Sequence, residues 1–297
     1  MEKLSLPEVR TADPAPLTEG VLVMEGGAFR GVYTAGVCDV LLEHGIRFRN
    51  VAGISSGSLN GMNYVADQIG RAVRINVEGL SDSRFVGWRA LLRDRGFVGF
   101  TYLLREAFVK YPFDKAKLSD PERRFAAGAT DIETGEEHYF ERTNCSDMEK
   151  ACVASSSVPN ISAIVKLDGR KYLDGVCAVG VPLDWAGKTG EKKIVAILTS
   201  ERDHKRERPA DFEKKYRRYC RYPALLKALW EADEAYNAQR EQIMKAEQEG
   251  KLFVFAPTAP SNLAHFERDP QKLLAFYERG RADAEKNLPA LLAFLNA

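Results

Sequence analysis

The sequence predicts an α/β protein with a mostly parallel central sheet, and three observations carry that prediction. Short apolar runs pass directly into glycine-containing turns, as at Val21–Met24 before Gly26-Gly27 and Asn50–Ile54 before Ser55-Ser56-Gly57. Each turn is followed by apolar residues at helical spacing, giving the order strand, turn, helix twice in succession, the signature of crossover-connected parallel strands. Further apolar runs at 194–198 and 252–256 supply late strands that return to the same sheet.

The elements follow in order. Structure is expected to begin near Gly20, with Val21-Leu22-Val23-Met24 as a buried strand. Tyr33, Val37, Val40 and Leu41 mark the first helix, and Gly45 is placed to end it. A second strand over 50–54 leads into a helix marked by Leu59, Met62, Asn63 and Ala66. Residues 81–113 then interrupt the pattern with Phe85, Trp88, Phe97, Phe100, Tyr102, Phe108, Tyr111 and Phe113 among several arginines. Phe125–Asp131 resumes a strand, and Glu133–Glu136 turns it into a hairpin partner at His138–Phe140. After a short helix near 148–154 come two Asp-Gly turns, at Asp168-Gly169 and Asp174-Gly175. From Glu201 to about Gly250 the chain is charged and helical with an interruption at Pro223, and from Pro270 it is an amphipathic helix. The division that results is a tail over 1–17, a core over 18–200, and a mostly helical extension over 201–297 that returns one strand to the core near 252–256.

Composition narrows the function. The 297 residues carry 43 Lys plus Arg against 42 Asp plus Glu, a net charge of +1, so no global field draws the chain to nucleic acid. At 45% hydrophobic residues the chain is globular rather than disordered. No apolar run approaches the ~18–20 residues of a membrane span, and the first residues lack the basic and apolar segments of a secretory signal. Cys38, Cys145, Cys152, Cys177 and Cys220 form no CxxC pair and are odd in number, which points to free thiols and a cytoplasmic setting. His44, His138, His204 and His265 have no metal-ligand spacing, so neither a metal nor another cofactor is expected.

Two turns carry candidate chemistry. Gly53-Ile54-Ser55-Ser56-Gly57 is a GxSxG sequence between strand and helix, where close backbone approach requires glycine and the serine hydroxyl is pushed out toward a helix amino end. Glu25-Gly26-Gly27-Ala28-Phe29-Arg30-Gly31 also joins strand to helix and offers glycine amides to an anion. A dinucleotide site would want a third glycine where Ala28 stands and an acid after the next strand; a P-loop would want a GK[ST] ending. Neither is present, and a transient oxyanion beside a nucleophile uses both turns together. For a base, each histidine is poorly placed: His44 at the far end of a helix, His138 in a hairpin, His204 in a basic stretch, His265 in a polar loop. A carboxylate on the Asp174-Gly175 turn is the alternative, with a plain Asp-Gly turn as the competing account.

Taken in order, these segments resemble the patatin-like phospholipase family. The loop pattern [DE]GGGx[RK]G is matched by Glu25 to Gly31 with Ala28 for the third glycine, GxSxG is matched in full by Gly53 to Gly57, and DG[GA] is matched at Asp174 and Gly175 with Val176 departing. Ala129–Gly135 and Ala154-Ser155-Ser156-Ser157-Val158-Pro159 add to the similarity, which covers roughly residues 20–200. The resemblance implies a three-layer α/β/α fold and a Ser-Asp dyad. Ser55 would be the nucleophile and Asp174 the base, the amides of Gly26, Gly27 and Ala28 the oxyanion hole, and Arg30 and Gly31 part of that loop. Ala28 is expected to be tolerated if its φ is negative. Val176 is expected to crowd the acyl group. The carboxylate needs desolvation to become an effective base, since its reference pKa lies near ~3.9.

The implied activity is hydrolysis of lipid or small acyl esters through an acyl-enzyme. A catalytically silent lipid-binding protein on the same fold, and an acyltransferase using the same dyad, are the alternatives. Residues 81–113 are expected either to wall an acyl pocket as a lid or simply to pack the core, and they are the first place for peripheral membrane contact. Arg202 to Tyr222 carries nine Lys and Arg with Tyr216, Tyr219 and Tyr222, which suits an anionic lipid surface; residues 223–250 carry six acidic against three basic side chains, so a solvated helical face with internal pairing is the expected account.

Overall fold

The first apolar run forms β1 (Thr18–Met24) in a computed structural model that describes residues 4–100, 102–264 and 267–297. Its side chains sort by the two-residue period of a strand: Leu22 and Met24 enter one core, Val21 and Val23 the other. The chain continues through α1 (Gly31–Glu43), β2 (Phe48–Ile54), α2 (Ser56–Val65), α3 (Arg71–Gly79) and α4 (Trp88–Asp94). Next come β3 (Arg124–Asp131), β4 (Glu137–Phe140), α5 (Met148–Ser155), β5 (Val165–Leu167) and β6 (Arg170–Asp174). The main elements that follow are α6 (Leu183–Gly187), β7 (Ile194–Ile197), α7 (Pro223–Gln248), β8 (Leu252–Phe255) and α8 (Pro270–Asn296).

The sheet has eight strands, and β8, β7, β1, β2 and β3 run parallel in that order. Helices α1, α2, α3, α5 and α8 cover one face, and α6 and α7 cover the other, so the fold is a three-layer α/β/α sandwich. The Asp168-Gly169 turn closes the β5–β6 hairpin with both residues at positive φ, the geometry that two-residue hairpin loops favour. Gly45 ends α1 at φ +70, its amide bonded to Leu42 O. Pro223 starts α7 at its first position, where a missing N–H costs nothing. Arg10–Thr11 pairs with Gln68–Ile69, fastening the stretch before β1.

One detail of strand pairing positions the site. β4 occupies one edge of β3 over Ala127–Thr130. Parallel β2 reaches Gly128 of β3, and antiparallel β6 begins its pairing at Ala129, so both lie end to end along the opposite edge. Their carboxyl ends therefore face each other, which brings the turn after Ile54 against Asp174.

The carboxyl-terminal helix α8 crosses α1 at two glycines. A Cβ on Gly36 would sit 2.2 Å from Tyr277 O, and one on Gly280 2.2 Å from Tyr33 O. The crossing is locked by Tyr33 Oη donating to Asp283 Oδ2 at 3.0 Å and Tyr277 Oη donating to Asp39 Oδ2 at 2.7 Å.

Candidate active site

Ser55 sits where β2 must reverse into α2 within one residue, and it does so at φ 55, ψ −125. That conformation costs about 1–3 kcal/mol for a side-chain-bearing residue. The two flanking glycines make the turn possible. A Cβ on Gly53 would lie 2.3 Å from Gly57 O, and one on Gly57 2.4 Å from Met24 O of the neighbouring strand. The Ser55 amide donates to Ser155 Oγ at 2.8 Å, and that hydroxyl donates to Gly128 O at 2.6 Å, so the ASSSVP segment braces the turn.

Ser55 Oγ donates to Asp174 Oδ2 at 2.8 Å. Asp174 is held through both its carboxylate and its backbone. Val176 N–H donates to Oδ1 at 3.0 Å, the Asp174 amide donates to Ser157 O at 2.9 Å, and Thr130 Oγ1 donates to Asp174 O at 2.9 Å. Gly175 has no room for a side chain, since a Cβ would lie 2.4 Å from Gly128 O. Asp174 is fully buried, and desolvation pushes its carboxyl up to about 7 against the opposing Val176 and Ser55 hydrogen bonds and the charge of Arg206. Burial thus supplies the basicity that an ordinary aspartate lacks.

The glycine-rich loop lies beside this pair. Gly26 packs against both neighbours: a Cβ there would meet Val176 Cγ1 at 2.8 Å and Ser55 Cβ at 3.0 Å. Val176 Cγ1 therefore lies over Gly26, against the glycine-rich loop beside Ser55. The Gly26 amide faces Gly180 O at 3.5 Å, and the Gly27 amide donates to Ser56 Oγ at 3.0 Å. Ala28 lines the cavity. Its φ is +49, so the condition of a negative φ is not met, and an alanine occupies the left-handed conformation that glycine adopts freely. The Arg30 amide closes the turn onto Gly27 O at 3.0 Å, and Gly31 touches Ser56, which leaves no space for a Cβ.

Glu25 anchors the loop from beneath and was not assigned a partner by the sequence. Its buried carboxylate accepts from Tyr236 Oη at 2.6 Å, from Thr199 Oγ1 at 3.0 Å and from the Thr199 amide, with Arg240 Nη1 at 3.7 Å. Burial favours the neutral acid, but Arg240, Arg206, Tyr236 and Thr199 together hold its pKa below the ordinary value. Tyr236 and Arg240 come from α7, more than two hundred residues along the chain, and no local motif marks them. Ser155 was within reach of the sequence because it lies in the ASSSVP segment.

A cavity lined mostly by apolar residues runs from Ser55 along α2. Phe85, Val98, Phe100, Leu103 and Phe108 wall it. The aromatic stretch thus both packs the larger core and shapes a pocket, so the two expectations for it meet in one segment. The described histidines lie elsewhere: His44 on Glu285 at 3.1 Å, His204 on Glu201 at 3.4 Å, and His138 edge-on to Phe140 and tilted against Tyr172. His265 lies outside the described residues. Arg202, Lys205 and Arg208 pair with Glu247, Glu241 and Glu234 of α7, the internal pairing that the two charge runs implied.

Comparison with known proteins found relatives in sequence and in structure. An uncharacterized protein of Escherichia coli (strain K12), YjjU, is 27% identical over 183 residues, which cover 60% of this chain and 51% of that protein. The matched region thus spans about half the length of that relative. The crystal structure of VipD from Legionella pneumophila aligns over 97% of this chain and 71% of that one, at 11% identity and a TM-score of 0.40. Residues 222–296 match a domain of unknown function, DUF6363, and so contain both α7 anchors of Glu25. The patatin-like phospholipase model matches residues 22–186, from the glycine-rich loop through the GxSxG turn to Asp174, and by that match the chain belongs to the patatin-like phospholipase family.

Proposed function

We propose that this protein hydrolyses acyl esters of lipids through an acyl-enzyme on Ser55. The observation that carries the reading is the 2.8 Å hydrogen bond from Ser55 Oγ to the buried Asp174 carboxylate, at the mouth of an apolar cavity. Ser55 Oγ attacks the ester carbonyl carbon while its proton passes to Asp174 Oδ2. The negative charge develops on the carbonyl oxygen beside the Gly26–Ala28 amides. For Gly27 this requires its N–H to exchange the Ser56 hydroxyl for the oxyanion, and Arg30 and Gly31 keep the turn in shape. Collapse of the intermediate breaks the bond to the alcohol, which leaves with the proton from Asp174. Water then releases the acid by the same steps, with Asp174 again taking and returning a proton. Metal and other cofactors have no part in this scheme.

Ser55→Ala and Asp174→Asn are each expected to abolish hydrolysis of p-nitrophenyl acyl esters, and Ser55→Ala to abolish stoichiometric labelling by a fluorophosphonate. Full activity in the serine variant would sink the assignment; an unlabelled wild type would favour the silent lipid-binding alternative. Product analysis with an added alcohol separates transfer from hydrolysis.

The reading extends to a lipid surface as partner. Trp88 is 61% exposed and Leu92 75%, both on α4, next to Arg89 and Arg93, in the segment that also walls the cavity. Exposed apolar side chains beside arginines suit an anionic bilayer. No helix of the described residues is long and apolar enough to cross a membrane. Trp88→Ala with Leu92→Ala is expected to reduce sedimentation with phosphatidylglycerol vesicles about tenfold. Unchanged sedimentation would remove α4 from the contact. A cytoplasmic setting belongs to the same proposal, supported by five free cysteines.

A further inference from the structure

Arg71 is the one charged side chain among the described residues that line the cavity. It is fully buried. Its Nε donates to Tyr111 O at 2.7 Å and its Nη1 to Asn63 Oδ1, while Phe108 and Phe113 pack against the guanidinium at 4.4 and 4.6 Å from their ring centroids. The aromatic rings satisfy its faces but cannot accept a hydrogen bond in its plane. Nη2 is buried and makes no hydrogen bond among the described residues. Among the described residues no carboxylate forms an ion pair with the group either; Glu149, the acid that influences it, is bridged to Lys115. Burial pulls the Arg71 pKa down to about 10, which still leaves the side chain charged at neutral pH.

A buried guanidinium with a free N–H is costly unless something anionic meets it. The cavity wall offers nothing of the kind, since its other polar members are serines and asparagines. Asn63, which fixes Arg71, stands on α2 eight residues beyond Ser55, which caps that helix, about 12 Å of helical rise. The nucleophile and the cation therefore stand well apart along one apolar cavity.

We propose that Arg71 makes this site selective for an elongated apolar substrate that carries a terminal oxyanion, a carboxylate or a phosphate, at the end remote from the ester. The guanidinium donates Nη2–H to that oxyanion, and the chain between anion and ester lies on Phe85, Phe100 and Leu103. This assignment deepens the esterase reading and rests on it for the identity of the reacting end.

The test separates binding from turnover. Isothermal titration of the Ser55→Ala protein compares monomethyl decanedioate, neutral dimethyl decanedioate and decyl phosphate. The monoanion is expected to bind about tenfold or more tighter than the diester, as a charge-assisted hydrogen bond provides. Tighter binding of decyl phosphate than of the monoanion would identify phosphate as the preferred oxyanion. A neutral diester that binds as well as or better than both anions would overturn the proposal. On the wild-type enzyme, the kcat/KM ratio of 4-nitrophenyl hydrogen decanedioate to its methyl ester is expected to exceed tenfold, to persist in part in Arg71→Lys and to fall toward one in Arg71→Met. If Arg71→Met does not fold, the wild-type ratio and the titration decide. Selective binding without any turnover would refute the esterase and leave the anion site standing, whereas turnover without selectivity would do the reverse.

Discussion

Two aspartates in different parts of the molecule have nearly the same electrostatics and very different surroundings. Asp174, at the end of β6, and Asp39, between α1 and α8, are both buried, and desolvation pushes each carboxyl up to about 7. Each accepts a hydroxyl hydrogen bond and a backbone amide bond. Asp174, however, faces a serine on a strained turn beside a cavity, whereas Asp39 faces Tyr277 in a helix crossing. Asp39 receives both of its bonds, from Tyr277 Oη and Gly70 N, on the single oxygen Oδ2. A raised carboxyl pKa is thus a mark of burial; what separates a candidate base from a structural clasp is the group it touches and the space beside it.

The sharpest way to break the comparison is kinetic. Asp174→Asn should lower kcat/KM on p-nitrophenyl esters by about 10³-fold, because an amide cannot take the serine proton. Asp39→Asn should leave it within about twofold, as expected of a residue that touches no reacting group. Equal losses in the two variants would erase the distinction. The base must be ionised, so wild-type kcat/KM should rise about tenfold per pH unit below about pH 7 and level off above it. A flat profile between pH 5 and 8 would contradict a base of that pKa.

The next effect is on stability. With folded pKa values raised above the unfolded ones, both aspartates contribute stability that is fully present below about pH 4 and is lost as pH rises through about 7. Asp39→Asn removes one of the two contributions, and its Oδ1 can keep both hydrogen bonds. It is expected to be more stable than wild type at pH 8 by about 2 kcal/mol and to lose that advantage toward pH 4. Urea unfolding at the two pH values reads the difference; a constant gap would show that Asp39 is ionised throughout.

The smallest effect concerns the loop itself. Ala28→Gly relieves a left-handed alanine, a gain of about 1–2 kcal/mol that the greater freedom of glycine in the unfolded chain reduces to about 0.5–1 kcal/mol. A lower melting temperature in this variant would show that the methyl group packs usefully at φ +49.

Much of this was legible in the sequence because it is local. The strand-glycine-helix order predicts the parallel sheet, and Gly53 and Gly57 announce a turn in which backbones touch. The meeting of Ser55 with Asp174 was legible only by resemblance, because it depends on β2 and β6 sharing one edge of β3, a pairing between segments far apart in the chain. The φ of Ala28 and the contact of Val176 with Gly26 were not legible, since the loop packs on residues far along the chain, Thr199 and Val176 among them. Tyr236 and Arg240 were hidden altogether: a tyrosine and an arginine on a charged helix look like surface until the helix is laid against Glu25.

That contact has a consequence for biosynthesis. Glu25 leaves the ribosome early, whereas Tyr236 and Arg240 follow more than two hundred residues later. At about 5–20 residues per second, the interval is roughly 10 to 40 s. Until then the carboxylate beneath the glycine-rich loop lacks its main cation and its phenol, and β8 is not yet available to the sheet edge. The nascent chain therefore carries Ser55 long before the side chains that hold Glu25 are made, so the contacts beneath the glycine-rich loop are completed only in the last quarter of translation.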